Sequence, residues 1–275
     1  MTTISISENL PLTISQGDLA LLKKAHRHLE HPSLAVRLTN VVGTPLEIAF
    51  KLLPKDWYQK LHKLAESSIM KALEVAVESL KESRQIKPRN RYHKVLGMCS
   101  GGVGGCFGLP SLLVEIPVST TIMLRSIAEI ARSQNEDIKQ LETRLACLEV
   151  FSLGARSAED DAAETGYYGI RIALSLSLRN AQHHIFEHGL KGETPLLVKL
   201  VRVISSRFGI ALSEKAAAQA IPLIGALGGA AINVVFIQHF QDIAWSHFTV
   251  RRLERLYGQD LVRSEYELLS KGESL

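Results

Sequence analysis

Residues 216–241 read AAAQAIPLIGALGGAAINVVFIQHFQ, a run with no formal charge unless His239 is protonated. It exceeds the roughly 20 apolar residues that span the hydrocarbon of a bilayer. Small residues cluster within it, at Gly225, Gly228, Gly229, Ala230 and Ala231. Residues 96–125 form a second such stretch, LGMCSGGVGGCFGLPSLLVEIPVSTTIMLR, in which Glu115 is the only charge before Arg125. There Gly97, Gly101, Gly104 or Gly105, and Gly108 recur at intervals of three or four, a spacing that on a helix makes a flat strip for close backbone approach. An exposed helical glycine costs about 1 kcal/mol against alanine, so close packing has to offset these residues. Gly101, Gly104, Gly105, Gly108, Gly225, Gly228 and Gly229 are therefore the expected helix-packing positions. Pro110 and Pro222 are expected to kink or break the two segments. Two readings stay open: hairpins at or in a membrane, or central helices covered on every side in a soluble bundle.

Outside these segments the chain carries clear helix punctuation. Thr44-Pro45-Leu46-Glu47 offers a cap, a proline at the first helical position and a carboxylate that can close a capping box. Ser157-Ala158-Glu159-Asp160 is a looser start, Thr194-Pro195 repeats the cap-plus-proline device, and Ser213-Glu214 reads as a further start. Gly189, Gly192, Gly209 and Gly258 follow apolar-periodic runs, where a left-handed helix end is expected. The apolar spacing from Trp57 to Leu80 is helical, and further helices are predicted at about 18–30, 46–53, 136–153, 158–188, 195–207 and 260–270. No run reads as a strand. The expected fold is therefore an all-α multi-helix bundle with two central glycine-rich hydrophobic helical hairpins. One domain covers 1–275, with N-terminal helices over 1–94 and the glycine-rich core and C-terminal helices over 95–275.

Composition narrows the function classes. In 275 residues, 46% are hydrophobic and 22% charged, enough for a real core and too apolar for a disordered chain. A net charge of +4 favours anionic lipid, and with no arginine-rich arm it argues against nucleic acid. The basic connector KESRQIKPRNRYHK, residues 81–94, lies beside the first low-charge segment. It reads as a solvated loop or as a lipid-headgroup contact through Arg84, Lys87, Arg89, Arg91 and Lys94, each worth about 1 kcal/mol near an anionic surface. The first residues, MTTISISENLPLT, lack the basic and apolar regions of a signal peptide. The expected location is the cytoplasmic side of the inner membrane, peripheral or partly inserted, or else the cytoplasm. Cys99, Cys106 and Cys147 form no C-x-x-C pair, so free buried thiols are expected rather than disulfides or zinc.

Polar residues in apolar surroundings are the remaining candidates. Glu115 in LLVEIPVSTT has to find a partner or stay protonated. Arg125 and Glu129 stand at i,i+4 spacing, and Glu115, Arg125 and Glu129 are the expected polar contacts between hairpins. Along the C-terminal run, His239, Asp242 and Ser246 share a helical face with His247 at its edge. A hydrolase reading takes Glu115, Glu149, His239, Asp242 and His247 as its catalytic candidates and requires them to converge in one pocket. The run is no H-E-x-x-H, and GGVGG lacks the Lys-Ser/Thr of a phosphate loop, so neither a metal nor a cofactor is expected.

Three stretches resemble the EcsC family of bacterial proteins: GLPSLLVEIPVSTTIMLRSIAEIARSQNEDI, CLEVFSLGARSAEDDAAETGYYGIR, and the run from Arg207 to Gly258 that contains Ser213-Glu214-Lys215 and the helix from His239 to Arg252. LEHPSLAVRLTNVVGTPLE fits as well, so the resemblance covers Leu29 to Gly258. The family takes its name from a protein encoded beside an ABC transporter. The resemblance thus implies a membrane-associated accessory to transport, secretion or envelope maintenance, with a membrane surface or a membrane protein such as a transporter as partner. Some relatives carry hydrolase or peptidase labels, but no catalytic motif carries over onto positions here. A soluble helical adaptor with an exposed groove is the third class.

Overall fold

The structure, a computed structural model, describes residues 13–31, 34–79, 109–155, 166–190, 194–221 and 225–271. Among these there are ten α-helices and no strand. They are α1 (Gln16–Glu30), α2 (Leu34–Val42), α3 (Leu46–Phe50), α4 (Trp57–Glu74, continued by a π-helical turn at Val75–Ser79), α5 (Leu112–Ser133, preceded by a 3-10 turn at Leu109–Ser111), α6 (Leu141–Leu153), α7 (Tyr167–His188), α8 (Pro195–Gln219), α9 (Gly225–Tyr257) and α10 (Gln259–Ser270). The all-α bundle expected from the sequence is the fold observed.

Two long helices organise it. At 1.5 Å per residue the 33 residues of α9 extend roughly 50 Å. Along this length α9 packs against α1, α2, α5, α6, α8 and α10, while α8 packs against α2, α3, α4, α6 and α7. Between them lies α6, in which every residue from Thr143 to Leu153 is buried. Such a helix shows no single apolar stripe because neighbours cover it on nearly every side. Phe151 of α6 meets Phe208 of α8 and Phe240 of α9 at ring-centroid distances of 5.0 and 5.6 Å, the centre of an aromatic cluster that Phe236 completes.

A helix buried at its C-terminal end has to find partners for its terminal carbonyls. At the end of α6 these come from neighbouring helices. Arg207 of α8 donates to the Ser152 carbonyl (2.8 Å) and the Ala155 carbonyl (3.1 Å), and His239 Nε2 of α9 meets the Gly154 carbonyl at 2.6 Å. Arg144 likewise donates to the carbonyls of Ala76 and Val77 in the π-helical turn. At the start of α7 the Glu30 carboxylate of α1 accepts from the Tyr167 amide at 3.0 Å, where the helix dipole favours an anion.

Several local expectations are corrected. Helix α8 runs unbroken through Gly209 and Ser213-Glu214, so the stop and the start expected there do not exist. The side chain at Gly209 is absent for no steric reason, since a Cβ there would meet only Ala65 Cβ at 3.9 Å. Helix α2 was not expected at all. Neither Thr44 nor Thr194 makes the predicted cap: α3 and α8 start at the predicted places without a side-chain cap hydrogen bond, and Thr194 Oγ1 is buried without a partner. Helix α6 begins at Leu141 rather than near 136, because Asn135 turns the chain with φ of 62°. The low-charge run 216–241 is divided between α8, which ends at Gln219, and α9, which begins at Gly225, and Pro222 itself lies outside the described residues. Gly189 and Gly258, with φ of 66° and 89°, do end their helices. Ser157 to Asp160, Gly192 and the glycines from Gly97 to Gly108 lie outside the described residues.

Two glycine substitutions should move stability in opposite directions. At Gly154 a Cβ would stand 2.3 Å from the Phe240 ring, so Gly154→Ala should lower the unfolding free energy by about 1–3 kcal/mol. Gly209→Ala, in an uncrowded helix interior, should raise it by about 0.5–1 kcal/mol. Denaturant unfolding of both variants checks the pair.

Candidate functional site

The five candidate catalytic residues do not form one pocket. Glu115, in the first turn of α5, is 5% exposed, and its Oε1 accepts from Lys215 Nζ of α8 at 2.5 Å. Lys215 is fully buried, donates also to Asn233 Oδ1 of α9 at 2.9 Å, and lies 4.7 Å from the centre of the Phe236 ring. Gln219 Nε2 reaches the second Glu115 oxygen at 3.5 Å. Burial lowers the Lys215 pKa, and the Glu115 carboxylate pulls it back upward. This cluster ties the ends of three helices together and presents no group to solvent. The partner of Glu115 is thus Lys215. Arg125 stands exposed and Glu129 half-buried further along α5.

His239 belongs to the end of α6, where it meets the Gly154 carbonyl; burial drives its pKa down to about 4. Its ring stays neutral and structural. Asp242 pairs with Arg37 of α2 at 2.6 Å on a partly exposed surface, and Ser246 pairs with His28 of α1 at 3.0 Å. The helical face shared by His239, Asp242 and Ser246 is therefore divided among three neighbours.

Glu149 and His247 do come together. His247 is fully buried on α9, with Nδ1 2.9 Å from the Tyr167 hydroxyl and Nε2 3.9 Å from Glu149 Oε2. Among the described residues no hydrogen-bond partner reaches that Nε2. Desolvation, aided by the charges of Arg171 and Arg251, holds the His247 pKa well below its ordinary value. Desolvation raises Glu149 from 4.5 to about 7, and the nearby Arg171 and Arg251 limit the rise. Fourteen residues of α9 separate Asn233 from His247, about 21 Å of helix, so this cluster and the Glu115 cluster are distinct places.

Glu149 faces a cleft of about 460 Å³ walled by α6, α7, α9 and α10, with Tyr168, Arg171, Arg179, Arg251 and Arg263 around it. Arg171 binds Glu254 through two hydrogen bonds of 2.7 and 3.1 Å, and Tyr168 donates to the same carboxylate at 2.9 Å. Arg251 is held by Glu136 at 2.8 Å and approaches Glu142 at 3.6 Å. Among the described residues no three of His, Cys, Asp and Glu gather as metal ligands.

Of the expected packing glycines, Gly225 opens α9, Gly228 and Gly229 lie in its first turns, and Gly229 is buried. Gly101, Gly104, Gly105 and Gly108, and the headgroup candidates Arg84, Lys87, Arg89, Arg91 and Lys94, lie outside the described residues. Sequence reasoning missed Lys215 as the partner of Glu115. A usable signal existed, for Lys215 is the last charge before a chargeless run, and two lone opposite charges in such runs need each other. Tyr167, Arg171, Arg251 and Glu254 carried no local signal.

The model of the EcsC protein family matches residues 17–253, a span that holds Glu115, Glu149, Lys215 and His247. No curated protein and no solved structure matches the chain.

Two measurements test these clusters. Lys215→Met leaves a buried carboxylate uncompensated and should cost about 3–5 kcal/mol, while Glu115→Leu with Lys215→Met should recover at least half of that. For Glu149 the folded chain holds a proton that the unfolded chain gives up between pH 4.5 and about 7. The Glu149 contribution to stability is therefore lost as pH rises through that window, on the order of 3 kcal/mol. In urea unfolding, the stability of the wild type relative to Glu149→Gln should fall between pH 5 and pH 8, a difference in which the opposite contributions of the buried, neutral His239 and His247 cancel.

Proposed function

Since this chain belongs to the EcsC protein family, we propose that it is a membrane-associated accessory protein acting on the cytoplasmic side, in transport, secretion or envelope maintenance. The observation that supports this reading is the outward face of the first turns of α5. Leu113, Val114 and Val118 are 47%, 73% and 47% exposed there, while Leu112, Glu115, Ile116, Ser119 and Thr120 point into the core. The outward face carries no charge before Arg125. Grouped exposed aliphatic residues of this kind mark an interaction surface.

The occupant we assign to it is an anionic lipid surface. The chain reaches α5 from the basic connector 81–94, and a basic flank beside an apolar one is the pairing that interfacial binding uses. Among the described residues the stretch Leu109–Ser133 is long and apolar enough to cross a membrane, but 56% of its most apolar window is buried against other helices. A helix with its inner face committed to the core favours surface docking over spanning.

Flotation with vesicles tests the reading. Wild type should float with phosphatidylglycerol-containing vesicles and not with pure phosphatidylcholine. Val114→Asp with Val118→Asp, both at exposed positions, should fold normally and reduce flotation at least fivefold. Undiminished flotation of that variant contradicts the role assigned to α5.

A further inference from the structure

We infer that the cleft between α6, α7, α9 and α10 is a binding site for an amphipathic organic anion with a carboxylate or phosphate head and an aliphatic body. The cleft lining is of two kinds. Arg171, Arg179, Arg251 and Arg263, with the carboxylates Glu142 and Glu149, are its charged groups, and Leu145, Ala146, Ile172 and Leu178 are aliphatic. A volume of about 460 Å³ is within the range of pockets that enclose a small organic molecule.

Charge counting fits one negative charge. Arg171 is matched by Glu254, Arg263 by Glu267, and Arg251 with Arg255 by Glu136 and Glu142. Arg179 is exposed on the same wall and makes no ion pair among the described residues. Five guanidinium groups thus meet four carboxylates, leaving one positive charge when Glu149 is protonated and none when it is ionised. An anionic head placed against Glu149 would accept a hydrogen bond from its protonated carboxyl and take the fork geometry of a nearby guanidinium.

The groups facing Glu149 make its protonation responsive. They are Arg171 and Tyr167 from α7, and His247, Arg251 and Glu254 from α9. Behind it the unpartnered His247 Nε2 is fully enclosed, so it offers no competing cation while the ring stays neutral. Because the carboxyl of Glu149 titrates at about 7, anion affinity should fall as pH rises through neutrality, by up to tenfold per unit above that value.

Isothermal titration calorimetry of the full chain with sodium decanoate, decyl phosphate and decanol tests the inference. Saturable one-to-one binding of at least one anion is expected, with decanol at least tenfold weaker; the two anions distinguish a carboxylate head from a phosphate head. Arg179→Glu should weaken the anion about tenfold, and Glu149→Gln should keep binding but lose its dependence on pH between 6 and 8. Val114→Asp with Val118→Asp should bind as wild type, which separates this site from the lipid-facing surface. The inference is overturned if neither anion binds, if decanol binds equally well, or if Arg179→Glu and Glu149→Gln both behave as wild type.

Discussion

A carboxylate and an ammonium removed from water have to meet, and in this fold Glu115 and Lys215 meet at 2.5 Å between the start of α5 and the end of α8. Asn233 joins them from α9. Each partner alone would be a buried charge costing several kcal/mol, so the three helix ends are fixed relative to one another by a penalty for separation rather than by a large gain on contact. The consequence for function is geometric. With Glu115 turned inward, helical periodicity sends Leu113, Val114 and Val118 outward. The buried pair therefore decides which face of α5 is offered to a partner, and that face is aliphatic.

The middle of α9 solves another problem. Because α6 is enclosed by five elements, its terminal carbonyls need donors that water would otherwise supply. Arg207 and His239 supply them, which accounts for a buried, neutral histidine without any chemistry. Gly154 is part of the same solution, since its missing side chain lets the Phe240 ring lie against the backbone whose carbonyl His239 holds. What remains for ligand chemistry is the side of α6 that carries Glu149. There the desolvation that raises a carboxyl pKa coincides with an open cleft and a surrounding set of guanidinium groups. Perturbed acids that line clefts are the usual place to look for function.

The helical class was legible from the apolar periodicity, and the breaks at Gly189 and Gly258 because they follow from backbone sterics of single residues. Helix α8 was misread because Gly209 and Ser213-Glu214 imitate a helix end and a helix start, yet burial of Phe208, Leu212 and Ala216 on one face carries the helix through. Tertiary packing outweighs a propensity penalty of about 1 kcal/mol at such a glycine. The candidate acids were found as lone charges in apolar runs. Their grouping was not, because Glu149, His247 and Tyr167 lie on three helices and only packing decides that Glu149 joins His247 while Glu115 joins Lys215.

The aliphatic face beside the Glu115–Lys215 pair is the surface we propose for lipid contact. A polarity-sensitive fluorophore placed at residue 114, in a background with Cys99 and Cys106 changed to serine, tests it most directly, with residue 186 as control because Phe186 is 88% exposed on α7. A blue shift is expected at residue 114 on adding phosphatidylglycerol vesicles, and none at residue 186. No shift at residue 114, or an equal shift at both positions, would contradict it.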